Sequence, residues 1–366
     1  MRSVGVEEEL LLVDPRTGEP RALSAAVLAI AAKQSQGRPH AFTKELQSQQ
    51  LEFGTCPRTA MGELAAEIER CRAEAGQLAE EAGAAVVALA TSPLPVGPAL
   101  NDGKRYRWIQ EHFGLTALEQ LTCGCHVHVS VTSDEEGVAV LDRIRPWLSV
   151  LLALSANSPF WQGHDSGYHS YRSRVWGRWP SAGPVELFGS ADRYHAQVRD
   201  LVDTGVVQDE GMIYFDARLS SRYPTVEIRA ADVCLDASTT VLVATLARAL
   251  VDTAAREWRE GRPPAGHGIG VLRAAAWRAG RSGLEADLLH PLTMRPTAAE
   301  RVVQALFHHV EDALDENGDL AHARKALDDL LSSGNGAHVQ RRLLRRHGSL
   351  AAVVAECVRR TQEGVR

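Results

Sequence analysis

Val4-Gly5-Val6-Glu7-Glu8-Glu9-Leu10 sets an acidic triplet between apolar residues, and Leu11, Leu12 and Val13 continue the run. A β-strand turns successive side chains to opposite faces, so Glu7 and Glu9 share one face. The pattern returns in Cys123-Gly124-Cys125-His126-Val127-His128-Val129, which pairs His126 with His128. It returns again in Thr225-Val226-Glu227-Ile228-Arg229, which pairs Glu227 with Arg229. The flanking Val, Ile and Leu put such strands in the middle of a core sheet. A bare carboxylate buried there is costly unless something compensates it. Carboxylates and imidazoles converging on one face therefore predict divalent cations, with the sheet as the floor of an active site.

Each segment also has a plainer reading. Acidic triplets usually end a strand in water, and two strand histidines are more often satisfied core residues. Glu227 and Arg229 could be an ion pair within the sheet, with no chemistry. Glu45 and Glu52 flank a Gln-rich segment and carry little weight alone. They gain weight because magnesium sites draw oxygen ligands from separate strands. A His-x-His strand also suits a zinc hydrolase, but the available partners are mainly Glu, and oxygen-rich company favours magnesium.

The chain has 366 residues, 45% hydrophobic and 23% charged, with a net charge of −6. That describes an ordinary folded protein, and with no long basic run it disfavours nucleic acid and favours a small substrate. Six cysteines, at 56, 71, 123, 125, 234 and 357, are too sparse for a disulfide scaffold and form no CxxC pair. The apolar runs at 84–90 and 147–156 are too short to span a bilayer, and a strand begins almost at residue 1. A cytoplasmic location without membrane attachment is expected, and a homo-oligomer such as a dimer is the default for an enzyme of this size.

Patterning predicts strands at 3–13, 44–55, 86–90, 123–131, 211–218 and 224–231, and helices at 24–33, 60–82, 138–154, 192–203 and 237–260. Beyond about residue 270 the chain reads as helical, with a turn at Gly334-Asn335-Gly336. One domain is expected, with a mixed α+β core over about 1–265 and a helical part over about 266–366; there is no regular βαβ alternation. Residues 160–190 lack periodicity and are rich in Gly, Trp and Arg, and a loop that long is usually functional. Within it, Arg172 and Arg174 fall on one face of an extended segment, and arginine forks suit phosphate or carboxylate oxygens. No GxxxxGK[ST] or GxGxxG occurs, so a nucleotide would have to bind on the sheet through arginines and metals. Glu, His and Arg in these numbers suit phosphoryl transfer from ATP.

The stretches VGVEEELLLVD (4–14), KELQSQQLEFGT (44–55), CGCHVHVSV (123–131), SANSPFWQGHDSGYHSYRSRVW (155–176), TVEIRAADVC (225–234) and GNGAHVQRR (334–342) span almost the whole chain. Together they resemble the glutamate–cysteine ligase type 2 family, carboxylate–amine ligases related in fold to glutamine synthetase and the guanidino kinases. The resemblance implies a curved, largely antiparallel sheet with helices on its convex face. It implies metal ligation by Glu7, Glu9, Glu45, Glu52, His126 and Glu227, with His128 reaching nucleotide phosphates. It also implies that Arg229 faces the transferred phosphate, and that Arg172 and Arg174 contact nucleotide or acyl phosphate. The implied cofactors are ATP and Mg2+, and the implied substrates are an amino-acid carboxylate, nominally glutamate, and an amine, nominally cysteine. The carboxylate would be activated as an acyl phosphate and then converted to an amide. His164 and His169 are read as tuning the acceptor site, and Cys125 stands where a larger apolar residue is common in the family. Four alternatives remain at this point: a ligase of the same type acting on a different acid or amine, a guanidino kinase-like phosphotransferase, a non-catalytic binding protein on the same scaffold, and a zinc hydrolase.

Overall fold

The apolar run around the acidic triplet makes β1 (Val4–Val13) the strand on which a seven-stranded sheet is built. The computed structural model describes residues 1–35 and 41–363. The other strands of this sheet are β2 (Phe42–Lys44), β3 (Gln50–Gly54), β4 (Ala85–Val87), β5 (Gly124–Ser130), β8 (Ala217–Leu219) and β9 (Thr225–Asp232). Between β5 and β8, β6 (Phe160–Trp161) and β7 (His164–Asp165) form a hairpin of their own. The order is β2-β3-β1-β5-β9-β8, with β4 paired to the far end of β1, and every pairing is antiparallel.

The acidic triplet divides between the two faces as alternation requires. Glu8 is fully buried beneath two long helices, Met61–Glu81 and Ala237–Arg259. Arg72 of the first helix donates to both Glu8 oxygens at 2.8 Å, and Thr240 of the second donates to Oε1 at 2.6 Å. The remaining Arg72 donors reach the Leu235 carbonyl at 2.9 Å and the Cys234 carbonyl at 2.7 Å. This fork clamps sheet to helices through all three guanidinium nitrogens. Arg72→Ala, which strands a buried carboxylate, is expected to cost about 3–5 kcal/mol. The paired change Glu8→Leu with Arg72→Met should recover most of that in urea unfolding.

Several boundaries differ from the sequence-based expectation, each for a local reason. The helix expected at 138–154 starts at Asp134, where the Ser133 hydroxyl accepts the Glu136 N–H at 3.2 Å. It gives way at Arg145–Trp147 to a tighter turn containing Pro146, then resumes as Leu148–Ser155. The extended segment expected at 44–55 is instead the β2–β3 hairpin with an irregular connection at 45–49. The strand expected at 86–90 keeps only Ala85–Val87, and that at 211–218 is a helical turn, Glu210–Met212, followed by Ala217–Leu219. Arg172 and Arg174 lie on a short helix, Arg172–Trp176, not on an extended segment. The C-terminal third is helical except for a hairpin, Asp287–Leu289 with Pro296–Ala298.

The Gly334-Asn335-Gly336 turn is a docking element. Asn335 accepts the His338 N–H at 3.1 Å, starting the helix Gly336–His347, and donates to the Ala153 carbonyl at 3.0 Å. Gln340 then donates to the Asn157 carbonyl at 2.9 Å and to its Oδ1 at 2.7 Å. Gly336 is needed there, because a Cβ would collide with the Asn157 amide. Among the described residues no helix is long and apolar enough to cross a membrane.

Candidate active site

The face of the sheet opposite Arg72 carries the polar side chains, and the strand register stacks them in a diagonal row. Glu52 of β3 sits opposite Glu9 of β1, Glu7 opposite His126 of β5, and His128 opposite Glu227 of β9. Arg218 of β8 closes the row opposite Glu227. Directly opposed residues share a face and lie within side-chain contact. The row lines a cavity of about 800 Å3, walled on its other sides by Tyr106, Trp176, Trp179 and Tyr214.

Three groups of ligand atoms in this cavity are close enough to hold a cation: Glu7, His128 and Glu227; Glu7, Glu52 and His126; and Glu9, Glu45 and Glu52. Glu7 belongs to two of them. Its Oε2 lies 3.3 Å from His126 Nδ1, and its Oε1 lies 3.4 Å from His128 Nε2. His128 Nδ1 lies 3.0 Å from the Thr225 hydroxyl, which orients the ring. The Nε2 atoms of His126 and His128 are buried and take no hydrogen bond. Two orphaned imidazole nitrogens beside a row of carboxylates fit a divalent cation.

The electrostatics agree with that fit. Burial, then the neighbouring Glu9, pushes the Glu45 carboxyl up to about 7. Burial and the charges of Glu45, Glu7 and Glu9 raise Glu52 well above its ordinary value. Glu9 is also raised, chiefly by burial, against the pull of Arg172 and the Gly124 N–H, which donates to it at 2.7 Å. Crowded carboxylates that resist ionising together lack positive charge between them. Burial and then Arg229 lower His126 to about 4, so it is the neutral imidazole that a metal requires. Glu7 and Glu227 behave differently: burial would raise them, but the two histidines hold Glu7 low, and Arg229 and Arg218 hold Glu227 low.

Glu227 and Arg229 do form the ion pair that the plainer reading foresaw, and Arg218 Nε adds a bond of 2.7 Å to the same carboxylate. Arg229 stays nearly buried, with Nε unpartnered at the edge of the cavity. Cys123 and Cys125 are buried thiols whose ionisation burial opposes, so they are core residues.

Arg172 and Arg174 do not line the large cavity. Arg172 is buried behind it, 3.8 Å from Asp232 and donating to the Arg229 carbonyl at 3.4 Å. Gly124 makes room for it, since a Cβ on β5 would meet the Arg172 guanidinium. Arg174 lines an adjoining cavity of about 400 Å3 that shares Trp176, Trp179 and Arg229 with the first. His164 is exposed on the β6–β7 hairpin and His169 is buried against Gly283, so neither reaches the large cavity.

Two residues escaped the sequence reading. Arg218 stands in a segment read as strand, and only its register opposite Glu227 marks it. Asp232 is fully buried and accepts from Asn157 N at 2.9 Å, Ser158 Oγ at 2.7 Å and Ser170 Oγ at 2.8 Å, anchoring both ends of the 157–170 loop. Simple alternation sends Asp232 to the face opposite Glu227. A bulge lets the register slip: Val127 pairs with Ile228 while Cys125 pairs with Ala231. Asp232, opposite Gly124, therefore turns to the cavity side.

The family model for glutamate-cysteine ligase family 2 matches residues 3–356. The chain is 66% identical over 362 residues to "Putative glutamate--cysteine ligase 2-1" of Streptomyces avermitilis, covering 99% of this chain and 100% of that one. It is 65% identical over 362 residues to "Putative glutamate--cysteine ligase 2" of Streptomyces coelicolor, covering 99% of each chain. The fold is similar to the crystal structure of glutamate–cysteine ligase from Francisella tularensis in complex with AMP, with a TM-score of 0.73 at 13% identity, covering 99% of this chain and 88% of that one.

Proposed function

Because the chain belongs to glutamate–cysteine ligase family 2, we propose that it is an ATP-dependent carboxylate–amine ligase that works with Mg2+ and joins glutamate to an amine, nominally cysteine. The observation that carries this reading is the diagonal row, in which acids from three strands and a loop surround two unpartnered imidazole nitrogens. Bound there, Mg2+ would offset the negative charge of a triphosphate and a carboxylate brought together.

In this reading Glu7, Glu9, Glu45, Glu52, His126 and Glu227 hold the cations, and His128 turns its free Nε2 to the phosphates. A carboxylate oxygen of the acid attacks the γ-phosphorus of ATP, the bond to the bridging oxygen breaks, and ADP leaves with that electron pair. Arg229 stands where charge grows on the transferred group, held in place by Glu227. The amine nitrogen then attacks the acyl carbon, phosphate departs, and the nitrogen loses a proton to give the amide. No side chain has to form a covalent bond, in keeping with the lack of an activated Ser or Cys nucleophile in the cavity lining.

The test is release of ADP and phosphate from Mg2+ and ATP, with glutamate and a panel of amines that includes cysteine. Release that needs both acid and amine, with an amide of the expected mass, supports the ligase. A phosphorylated product with no free phosphate would point to a phosphotransferase instead.

A further inference from the structure

Arg218 of β8 bonds at once to the floor of the large cavity and to its rim. Its Nε donates to Glu227 Oε2 at 2.7 Å and its Nη2 to Oε1 at 3.2 Å. Its Nη1 donates to the carbonyls of Ile213 at 2.8 Å, Gly211 at 3.3 Å and Glu210 at 3.4 Å. These carbonyls belong to the helical turn Glu210–Met212 and the residue after it. The turn is capped by Asp209, which accepts the Gly211 N–H at 2.9 Å. Asp209 in turn takes Arg105, from the helix Lys104–Phe113, on both of its oxygens, with Nη2 to Oδ1 at 3.1 Å. Gly211 permits this approach, since a Cβ there would lie 2.9 Å from Asp209 Oδ1. Side-chain exposure rises along the relay, from 3% at Glu227 and 16% at Arg218 to 46% at Asp209 and 42% at Arg105. All four line the cavity, so the relay runs from the sheet to the cavity mouth.

Charge balance does not account for Arg218. Glu227 is already paired with Arg229, and a second guanidinium brings one positive charge more than this carboxylate can neutralise. Surplus positive charge beside a cation site opposes the cation. What Arg218 supplies is position: two of its nitrogens grip the carboxylate while the third is fixed by three carbonyls. We propose that Arg218 is a positioning residue that couples cation binding at Glu227 to closure of the cavity mouth. The proposal rests on the reading of Glu227 as a cation ligand. A carboxylate drawn to a cation carries the guanidinium with it. The guanidinium draws in the turn at 210–213 and, through Asp209, the helix Lys104–Phe113. Coupling of this kind is reciprocal, so loosening the mouth weakens cation binding.

The experiment is isothermal titration of the full chain with Mn2+ alone, joined to hydrogen exchange with and without saturating Mn2+. In the wild type, Mn2+ should bind and slow exchange of the amides at 104–113 and 209–214. Arg105→Gln breaks a half-exposed pair whose loss the fold tolerates. It also removes a positive charge from the cavity lining, so the field alone would tighten Mn2+ binding. The coupling predicts the opposite sign: binding about threefold weaker or more, with the protection at 104–113 lost. Arg218→Lys keeps the charge but not the fork, and should weaken Mn2+ binding about tenfold. Adding Arg105→Gln to Arg218→Lys should then cost nothing further, because the link is already cut. Mn2+ binding to the wild type without slower exchange in either segment overturns the coupling and leaves Glu227 as a ligand. So does Arg105→Gln that binds Mn2+ as tightly as the wild type or more tightly. A wild type that binds no Mn2+ overturns the ligand reading, and the coupling with it.

Discussion

Glu52→Gln is expected to stabilise the metal-free protein and to lower Mg2+-dependent ATP turnover by about 100-fold or more. The opposite signs follow from one cause. Glu52 is raised by burial and by three neighbouring acids, so its ionised form is a liability to the fold until a cation arrives. The sign with pH follows the same way. An acid whose folded pKa is raised contributes stability below its unfolded pKa and loses it as pH climbs through the folded value. For Glu45 that window runs from about 4.5 to about 7. The metal-free protein should therefore lose stability across this range. The rise in melting temperature on adding Mg2+ should grow across the same range, and Glu52→Gln should flatten both trends. A calorimetric pH series of wild type and variant, with and without Mg2+, checks this. A variant less stable than wild type without metal, yet fully active, would remove Glu52 from the site.

Arg229→Ala should lower kcat on the order of 100- to 1,000-fold, with a much smaller change in the KM for ATP. Glu227 stays paired with Arg218 at 2.7 Å after the change, so the strand keeps its partner and the loss falls on the reaction. A variant in which only the KM for ATP rises would make Arg229 a nucleotide-binding residue with no part in the transferred charge. Arg229→Lys should recover little, because a compact ammonium cannot hold Glu227 and also present a second donor in the same fork geometry.

Much of the site was legible because alternation in a well-paired strand is a strict rule. Glu7 with Glu9, His126 with His128, and Glu227 with Arg229 needed only a period of two and apolar neighbours. Family motifs added Glu45 and Glu52, and here alternation alone would have misled: seven residues apart on one strand, they would face opposite ways. They meet because the chain leaves the strand over 45–49 and Glu45 comes back over β3 from a loop. Asp232 was hidden by the bulge that reverses parity after Ile228. An extended segment would put Arg172 and Arg174 on one face, but the chain is helical over Arg172–Trp176. On a helix, residues two apart point in different directions, so although both line the second cavity, Arg172 is buried toward Asp232 and Arg174 is not. Glu8 shows the converse: its triplet is conspicuous in sequence, but only the tertiary partner Arg72 reveals that one acid of the three is structural.

That the row binds divalent cations is tested most directly by anomalous scattering from crystals grown with Mn2+ and AMP-PNP. Manganese peaks bounded by Glu7, Glu9, Glu45, Glu52, His126, His128 and Glu227, with nucleotide phosphates against them, are the expected result. Bound nucleotide with no manganese in that cavity, or manganese held elsewhere, would contradict it.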